Sequence, residues 1–505
     1  MFKKQFFNFF AALIVFTLFS CSSQLEKSSS LQFAYSGKQV AKLAGNPESE
    51  YTLKLELSGD YKAEEKLKIS PETEEQVFTF EDLSAGMSIT ADVLIYENVV
   101  LRYSKSDSIK LNSGVNTLNL ELAKYVSTPN VYIENYDFQY ELSLKQFLSK
   151  SEEITQIGET TSEEVVYTFD SDGNLWTATQ NLLSKYSINT ETGLYKEKPE
   201  NSIPLTNYGF DAVDDITYDI KTGYLYIVTR NGSIHALNPN DYTPTEDNVE
   251  YKIYSTEEYY LPNKGYPNQI AVYNNTAYIA EKDYSTNTAN ITKIYKAKVN
   301  FSENENKTYI LTFETEKTPI KDISSLDILK NPETESVYIA DLQIGDGLGN
   351  YTTTLYALAR EYTASISNTY EENNPVLSPK TVYSRGALVA INLSDGTSSS
   401  PTYGWSTTTK DISIEGLNND SYPGILCAPS NSSATVEFYG PTKFAALVPK
   451  KLVILDDGIT CTEQNDSFKN KDSLVEFDIE KESLSRTKEN LKVSKPSASS
   501  FTIEE

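Results

Sequence analysis

From about residue 126 onward, the sequence repeats one pattern of short alternating segments. Each copy reads as a strand, a turn rich in Asp, Asn and Gly, a second strand, another turn and a third strand. The clearest copies are VVYTFDSDGNLWTATQNLLSKYSI, DAVDDITYDIKTGYLYIVTRNGSIHALNP, PNQIAVYNNTAYIAEKDYSTNTANITKIYKAKV, DISSLDILKNPETESVYIADLQIGDGLGNYTTTLYALA, and the pair TKFAALVPKKLVILDDGI and KDSLVEFDIEKESL. Because one such unit cannot bury both of its faces alone, the repetition predicts that neighbouring units stack and share their apolar faces.

The spacing of these units favours a closed ring. It is irregular, but it falls broadly within the range of about 40 to 50 residues for a β-propeller blade, with insertions. A ring also leaves only short, protected strand edges. We therefore predict an all-β fold in which residues 126–505 form a propeller of about six to eight blades, with about seven as the best single value.

The region before the repeats, residues 31–125, alternates polar and apolar residues in short runs. LQFAY, YTLKLELSG, QVFTFEDL, SITADVLIYEN and VNTLNLELA follow the period of two that half-buried strands show, and turn residues separate them. This pattern predicts an antiparallel β-sandwich. The stretch FTFEDLSAGMSITADVLIYEN resembles the immunoglobulin-like or fibronectin-like modules near the anchors of bacterial surface lipoproteins, and the resemblance implies a spacer.

The N-terminal segment MFKKQFFNFFAALIVFTLFS places Lys3 and Lys4 before an uncharged apolar run. A secretory signal peptide over residues 1–20 has this order, and the run is shorter than the roughly 20 apolar residues of a membrane span. The sequence that ends at Ser20-Cys21 resembles the lipobox of bacterial lipoproteins, which implies a lipidated Cys21 followed by a polar tether over residues 21–30. An ordinary cleaved signal with an incidental cysteine is the alternative.

This N-terminus also predicts where the protein acts. Acyl chains on Cys21 would hold it firmly to a membrane without a spanning helix. We therefore expect a lipid-anchored protein of the bacterial cell envelope, with the outer membrane preferred and both its periplasmic and its external side left open.

The charge balance excludes one class of partner. Acidic residues outnumber basic residues by 71 to 44, and the formal net charge is −27. Such a surface repels phosphate backbones, and the sequence has no stretch rich in Lys or Arg that would offset this repulsion. We expect no nucleic acid among the partners, and solubility alone explains the acidity.

Two groups of residues resemble known propeller repeats. The run from Asp172 to Trp176, DGNLW, is similar to the repeat of two-component-regulator sensor propellers. The runs GYLYI from Gly223 and TAYIA from Thr276 resemble quinoprotein or surface-layer propeller repeats, with tyrosine in the same position. These resemblances imply the fold and no particular activity.

Four acidic residues are the candidates for a metal site. Asp214 and Asp215 in VDDITYD, and Asp341 and Asp346 in ADLQIGDGLGNYT, could coordinate Ca²⁺ around a central channel. Solvated turns and strand ends explain the same residues, so no cofactor is expected and Ca²⁺ is left open.

The acidic segment from Asp170 to Asn174 is better explained by a turn than by a calcium loop. An EF-hand needs Gly at its sixth position and Glu at its twelfth, whereas this segment has Gly at its fourth position and Asn181 at its twelfth. Gly and Asn tolerate the positive φ of a tight hairpin, which is the structure we predict here.

Histidine usage argues against a hydrolase. The chain has one histidine, His235, which the pattern places on an exposed or half-buried strand after a hairpin turn. A Ser-His-Asp hydrolase needs histidine as its base, and GxSxG, Walker and HExxH motifs are absent. The sequence therefore favours a protein without enzymatic activity. A calcium-dependent lactonase-like or lyase-like propeller with Asp and Asn ligands is the enzymatic alternative.

The two other cysteines, Cys427 and Cys461, could form a disulfide outside the cytoplasm.

Two polar insertions, residues 361–384 and 406–434, are too long for a blade turn, and long loops on a rigid scaffold commonly carry recognition. If they emerge on one face, they form a binding surface together with Trp405. The favoured function is a module that binds an envelope or host protein or glycan, and a purely structural envelope scaffold is the remaining alternative.

Overall fold

The computed structural model describes the following residues: 28–35, 51–70, 75–97, 100–118, 123–124, 128–135, 141–148, 154–208, 210–244, 249–256, 259–262, 264–283, 290–305, 308–325, 336–363, 368–371, 374–377, 383–398, 403, 438, 440–456, 461–463, 467–469 and 473–489. Across these ranges the regular structure is β-strand with two short 3₁₀ helices, Thr206–Tyr208 and Ile323–Ser325. Within the same ranges, no helix has the length and apolar character that membrane crossing requires. The signal peptide, Cys21, Trp405 and Cys427 lie outside the described residues, so the statements about them stay predictions.

The chain divides into two compact units. One comprises residues 1–96 and 103–124, and the other comprises residues 97–102 and 125–505. A single apolar cluster forms the core of the first unit, whereas several clusters follow one another through the second.

The first unit contains two sheets that share one core. Its strands are β1 (Ser28–Tyr35), β2 (Tyr51–Gly59), β3 (Ala63–Ile69), β4 (Gln76–Ser84), β5 (Ser88–Glu97), β6 (Val100–Lys110), β7 (Gly114–Thr117) and β8 (Ala123–Lys124). The strand orders are β4-β1-β7 and β3-β2-β5-β6-β8. Burial alternates along β2, so that Leu53 and Leu55 lie inside with Phe33 of β1 and Val93 of β5. This is the period of two that the sequence predicts.

The second unit repeats one antiparallel plan in sheets that we label A to F. Sheet A contains β9 (Asn130–Asn135), β10 (Leu142–Phe147) and β11 (Thr155–Thr161). Sheet B contains β12 (Val166–Phe169), β13 (Leu175–Ala178), β14 (Leu182–Tyr186) and β15 (Asn201–Pro204). Sheet C contains β16 (Val213–Asp219), β17 (Tyr224–Thr229), β18 (Ile234–Pro244) and β19 (Val249–Ser255).

Sheets D to F follow the same plan with additions. Sheet D contains β20 (Tyr266–Tyr273), β21 (Thr276–Asp283), β22 (Asn290–Glu303), β23 (Tyr309–Thr315) and the short β24 (Lys321–Asp322). Sheet E contains β25 (Ser336–Ile344), β26 (Thr354–Thr363) and, after a separate hairpin of β27 (Asn368–Glu371) and β28 (Asn374–Leu377), β29 (Tyr383–Asn392). Sheet F contains β30 (Pro441–Val448), β31 (Lys451–Asp456) and, after the hairpin of β32 (Cys461–Glu463) and β33 (Ser467–Lys469), β34 (Ser473–Asp478) and β35 (Ser483–Glu489).

The first strands of sheets A to F stand side by side in a closed order. β12 contacts β16, β16 contacts β20, β20 contacts β25, β25 contacts β30, and β30 contacts β9. The ring closes between β9 and β12, where the Tyr167 hydroxyl donates to the Val131 carbonyl oxygen at 2.8 Å. Sheets F and A are joined by the Leu447 amide, which donates to Thr128 Oγ1 at 2.7 Å. Apolar clusters between neighbouring sheets therefore bury faces that one sheet alone would expose.

The ring has two rims, which differ in the connections they carry. We call the rim where the first strands begin the start rim. At the opposite rim, which we call the turn rim, turns join the first strand to the second strand in sheets B to F. Residues such as Asn274 (φ 51°) and Lys450 (φ 63°) take the left-handed backbone conformation in these turns.

The turn of sheet B confirms the hairpin predicted for Asp170 to Asn174. The Asp170 amide donates to the Asn174 carbonyl oxygen at 3.0 Å, and Gly173 has φ 79°. The Asp170 carboxylate accepts bonds from its own turn and from the Trp176 indole at 2.9 Å. Trp176 is buried in an apolar cluster that also contains Ile216 of sheet C. The motif is therefore a packing element between two sheets.

Candidate functional site

A β-bulge interrupts the first strand of sheets C, D, E and F at corresponding positions. The pairing with the second strand changes register just before Asp215 in β16, Gln269 in β20, Asp341 in β25 and Lys443 in β30. Bulges change the direction of the side chains that follow them. At each of these four positions a polar residue follows the bulge and an apolar residue comes next.

Three of these residues meet inside the ring, and we call them the central ion triad. Lys443 Nζ lies 3.0 Å from Asp215 Oδ1 and 3.1 Å from Asp341 Oδ1. The side chains of Asp215, Asp341 and Lys443 are 2%, 6% and 20% exposed. The triad thus joins sheets C, E and F, whose first strands are far apart in sequence.

Backbone amides complete the hydrogen bonding of both carboxylates. Asp215 Oδ2 accepts from the Ile270 amide at 2.9 Å, and Asp341 Oδ2 accepts from the Phe444 amide at 2.8 Å. In each case the donor belongs to the first strand of the next sheet. Buried charges are tolerated when they are paired and hydrogen-bonded, and all four carboxylate oxygens meet that condition.

The triad carries one more negative than positive charge when all its groups are ionised. Burial raises the pKa of Asp215 to about 6, and the charge of Asp341 adds to that effect while Lys443 opposes it. Burial likewise raises the pKa of Asp341. Burial alone would lower the pKa of Lys443, but the two carboxylates outweigh it and hold that pKa above its ordinary value. Lys443 therefore stays charged at neutral pH.

The cavity beside the triad is small. It has a volume of about 70 Å³, and its walls include Tyr167, Thr217, Gln343 and Lys443. A water molecule needs roughly 10 to 15 Å³ of such volume, so the cavity accommodates a few waters and no sizeable organic substrate. Lys443 Nζ also lies 5.9 Å from the ring centre of Tyr167, within range of a cation–π interaction.

The structure brings only two of the four predicted metal candidates together. Asp215 and Asp341 are joined through Lys443, so an ammonium group stands where a cation shared by these carboxylates would bind. Asp214, the neighbour of Asp215 in sequence, belongs instead to a network at the start rim. It accepts from Asn268 Nδ2 at 3.0 Å and lies 3.5 Å from Arg230 Nε. The same guanidinium pairs with Glu164 through Nη2.

Asp346, the fourth candidate, ties two turns together at the turn rim. Its carboxylate accepts from the amides of Leu348 and Asn350 in its own turn and from the Lys450 amide of sheet F at 3.2 Å. Asp219 makes the corresponding link from sheet C to the Asn274 amide of sheet D at 3.0 Å. This pattern favours a structural role for Asp346. Among the residues that the structure describes, no group of three or more His, Cys, Asp or Glu side chains could hold a metal ion.

His235 lies on a strand, β18, but it is buried rather than exposed or half-buried. Its Nδ1 is 2.8 Å from Ser255 Oγ, and its ring stacks on Phe210 with ring centres 3.9 Å apart. Nε2 has no hydrogen-bond partner in the described ranges. Burial lowers the pKa of His235 to about 4, so the ring is neutral at physiological pH.

The remaining predicted residues are not tested by the structure. Cys461 is the first residue of β32, its side chain lies outside the described residues, and Cys427 lies outside them entirely. The disulfide between them therefore stays a prediction, as does a role for Trp405.

Sequence reasoning missed Lys443 and Gln269. A single lysine in TKFAALV has the ordinary appearance of a residue that faces solvent. The signal that could have revealed both residues is the alignment of the first strands, in which Asp215-Ile216, Gln269-Ile270, Asp341-Leu342 and Lys443-Phe444 fall in the same columns. A polar residue before an apolar one recurs at that position in all four strands.

The closed order of first strands and the repeated antiparallel sheets define the second unit as a β-propeller-like fold. A family model described as the TdpA C-terminal domain matches residues 309–500. A comparison with curated proteins finds no match.

Several solved structures show a low overall similarity to the chain. Hsv2 of Kluyveromyces lactis has a TM-score of 0.25 and 11% identity, over 48% of this chain and 89% of that chain. A functionally unknown protein from Desulfotomaculum acetoxidans has a TM-score of 0.28 and 11% identity, over 78% and 92%. The β-propeller domain of Cps50 (Swd1) of Myceliophteria thermophila has a TM-score of 0.23 and 9% identity, over 58% and 86%.

Proposed function

We propose that this protein is a lipid-anchored component of a bacterial cell envelope whose second unit, a propeller with a blade for each of sheets A to F, binds a protein or glycan through its start rim. The signal sequence and Cys21 support the anchor. The two-sheet first unit, with the strand pattern of an immunoglobulin-like module, fits a spacer between the anchor and the propeller.

The observation that carries the proposal is where the longest connections attach. These are residues 364–382, 404–437 and 457–472. Two of them are flanked by residues that pair at the start rim, Thr363 with Tyr383 and Asp456 with Ser473. The third lies between Tyr403 and Phe438, which pair with Leu388 and Gly386 in the middle of β29, and the chain at Tyr403 runs towards the start rim. Binding residues are concentrated in long connections on a rigid scaffold. The start rim is therefore the better candidate for a binding surface.

Described residues of sheets C and D add contact groups to the same rim. The rings of Tyr260 and Tyr266 lie with their centres 5.1 Å apart, and Tyr260 is 44% exposed. Arg230 lies in the turn that follows β17, where Gly232 packs against the Tyr266 ring, and the Arg230 side chain is half exposed. Exposed tyrosine and arginine are the residue types that contribute most to protein interfaces.

The centre of the ring supports binding over calcium-dependent catalysis. An enzyme of the lactonase-like type would need its central carboxylates available to Ca²⁺. Here Lys443 is bonded to both Asp215 and Asp341, and the adjacent cavity holds only a few waters. The triad thus acts as an internal connection between sheets C, E and F.

The proposal predicts saturable binding that depends on the start rim. Protein lacking residues 1–21 is tested by biolayer interferometry against purified peptidoglycan, outer-membrane glycolipid and host matrix glycoproteins. We expect at least one of these to bind saturably, and we expect binding to weaken at least tenfold when a short Gly-Ser linker replaces residues 404–437 or when Tyr260 becomes Ser. The control is a turn-rim variant, Glu197→Ala with Lys198→Ala, which should bind as the parent does. Absence of saturable binding to all three materials, or an equal loss in the control, would refute the proposal.

A further inference from the structure

A second cavity lies between sheets B and C at the turn rim, on the side of the ring opposite to the start rim. Its volume is about 220 Å³, which has room for about seven water molecules at roughly 30 Å³ each. Trp176 and Lys185 of sheet B line one wall, and Tyr218 and Asn240 of sheet C line the other. We call this cavity the inter-sheet cleft. It is about three times as large as the cavity beside the central ion triad.

The walls of the inter-sheet cleft are held in place by bonds that do not depend on a ligand. The Trp176 indole donates to Asp170 at 2.9 Å, and Lys185 Nζ lies 5.9 Å from the Trp176 ring centre. Asn201 Nδ2 donates to the Tyr251 hydroxyl of sheet C at 3.1 Å, which links the two walls. The cleft is therefore preformed, and preformed sites lose little conformational entropy on binding.

Polar groups of both hydrogen-bonding types line the cleft. The carboxylates of Glu200 and Asp172 are acceptors, the ammonium of Lys185 is a donor, and the amide of Asn240 is both. Lys185 Nζ and Glu200 Oε2 are 3.9 Å apart, too far for a hydrogen bond between them. A group placed between these two side chains could therefore accept from one and donate to the other.

This arrangement selects among ligand classes. Apolar ligands are disfavoured because they would remove these charged groups from water without replacing their hydrogen bonds. Anions are disfavoured because Asp172 and Glu200 outnumber Lys185. A hydroxyl group, in contrast, can both donate and accept a hydrogen bond. Adjacent hydroxyls on one ring can therefore bond to the carboxylate, the ammonium and the amide of the cleft.

We propose that the inter-sheet cleft binds one sugar residue, either a free monosaccharide or the end of a glycan, with Glu200 accepting from and Lys185 donating to its hydroxyls. The cleft volume suits a ligand of about the size of one sugar ring. A ligand of that size, held by hydrogen bonds exchanged with water, binds with a Kd of roughly millimolar order. The site is separate from the start rim and does not depend on the function proposed above.

The test uses the fluorescence of Trp176, which lines the cleft. The chain has two tryptophans, so protein lacking residues 1–21 and carrying Trp405→Phe reports Trp176 alone. It is titrated with glucose, galactose, mannose, N-acetylglucosamine and glucosamine. We expect at least one of them to change the emission saturably, and we expect Glu200→Gln, which preserves the side-chain shape, to weaken that binding at least tenfold. The control Glu197→Gln lies on the same connection outside the cleft and should leave binding unchanged.

Three results would overturn the inference. They are the absence of a saturable change with all five sugars, equal weakening by Glu197→Gln, and a saturable response to inorganic phosphate or CaCl₂ in place of sugar. Replacement of residues 404–437 should leave the sugar titration intact, which separates failure of this inference from failure of start-rim binding.

Discussion

Replacing Lys443 by Met will destabilise the second unit by about 3 to 5 kcal/mol at neutral pH. The variant leaves Asp215 and Asp341 buried without their shared cation, and their mutual repulsion is then uncompensated. Urea unfolding followed by tryptophan fluorescence measures the effect in this unit specifically, because Trp176 and Trp405 are the two tryptophans of the chain and both belong to residues 125–505.

A matched variant and a rescue separate loss of the triad from loss of any lysine. Lys451 lies in the same sheet and pairs with Glu476 at 2.8 Å, but its side chain is 42% exposed. Lys451→Met should therefore cost no more than about 1 kcal/mol. Combining Lys443→Met with Asp215→Asn and Asp341→Asn removes all three charges and should restore most of the lost stability. A cost for Lys443→Met no greater than that for Lys451→Met would show that the triad is unimportant for stability.

The pH dependence of stability should reveal buried groups with opposite effects. The pKa of Asp215 is raised by burial to about 6, so its contribution to stability is present at low pH and is lost as the pH rises through 6. The pKa of His235 is lowered by burial to about 4, so its neutral form favours the folded state above that pH and stability is lost as the pH falls through 4. The shifts of Asp215 and His235 each correspond to about 3 kcal/mol. Burial raises the pKa of Asp341 as well, so that carboxylate acts in the same direction as Asp215.

Single substitutions should separate these two effects. In Asp215→Asn, the free energy of unfolding should rise relative to the parent by about 3 kcal/mol between pH 4 and pH 6, because the variant lacks the carboxylate whose ionisation costs stability over that interval. In His235→Phe, the free energy of unfolding should fall relative to the parent by a similar amount over the same interval, because the histidine contribution is removed. Urea titrations at half-unit pH steps measure both curves. Difference curves of the same sign for the two variants would contradict the assignment.

Much of the fold was predictable because it follows from local patterns. Alternation predicts the strands of both units, and Asp170 to Asn174 contains the residue types that a tight hairpin requires. The repeat implies that sheets share apolar faces, which the cluster containing Trp176 and Ile216 confirms. These features depend on residues close together in sequence.

The central ion triad was only half predictable because it depends on long-range geometry. Asp215 and Asp341 were candidates on account of their charge, but their partner Lys443 lies 102 residues beyond Asp341 in the chain. A bulge changes the direction of the side chains after it, so alternation along β16 does not indicate which of Asp214 and Asp215 faces the centre of the ring. The burial of His235 was missed for a related reason, since the residues that cover it, such as Phe210, come from other elements.

The central claim is that Lys443 closes the middle of the ring and leaves recognition to the rims. The most direct measurement is isothermal titration calorimetry of CaCl₂ into protein lacking residues 1–21, compared with its Asp215→Asn and Asp341→Asn variants. We predict the same heats for all three proteins, because no Ca²⁺ binds between carboxylates that already share an ammonium group. Saturable Ca²⁺ binding by the parent that both variants abolish while remaining folded would contradict the account and support a catalytic centre.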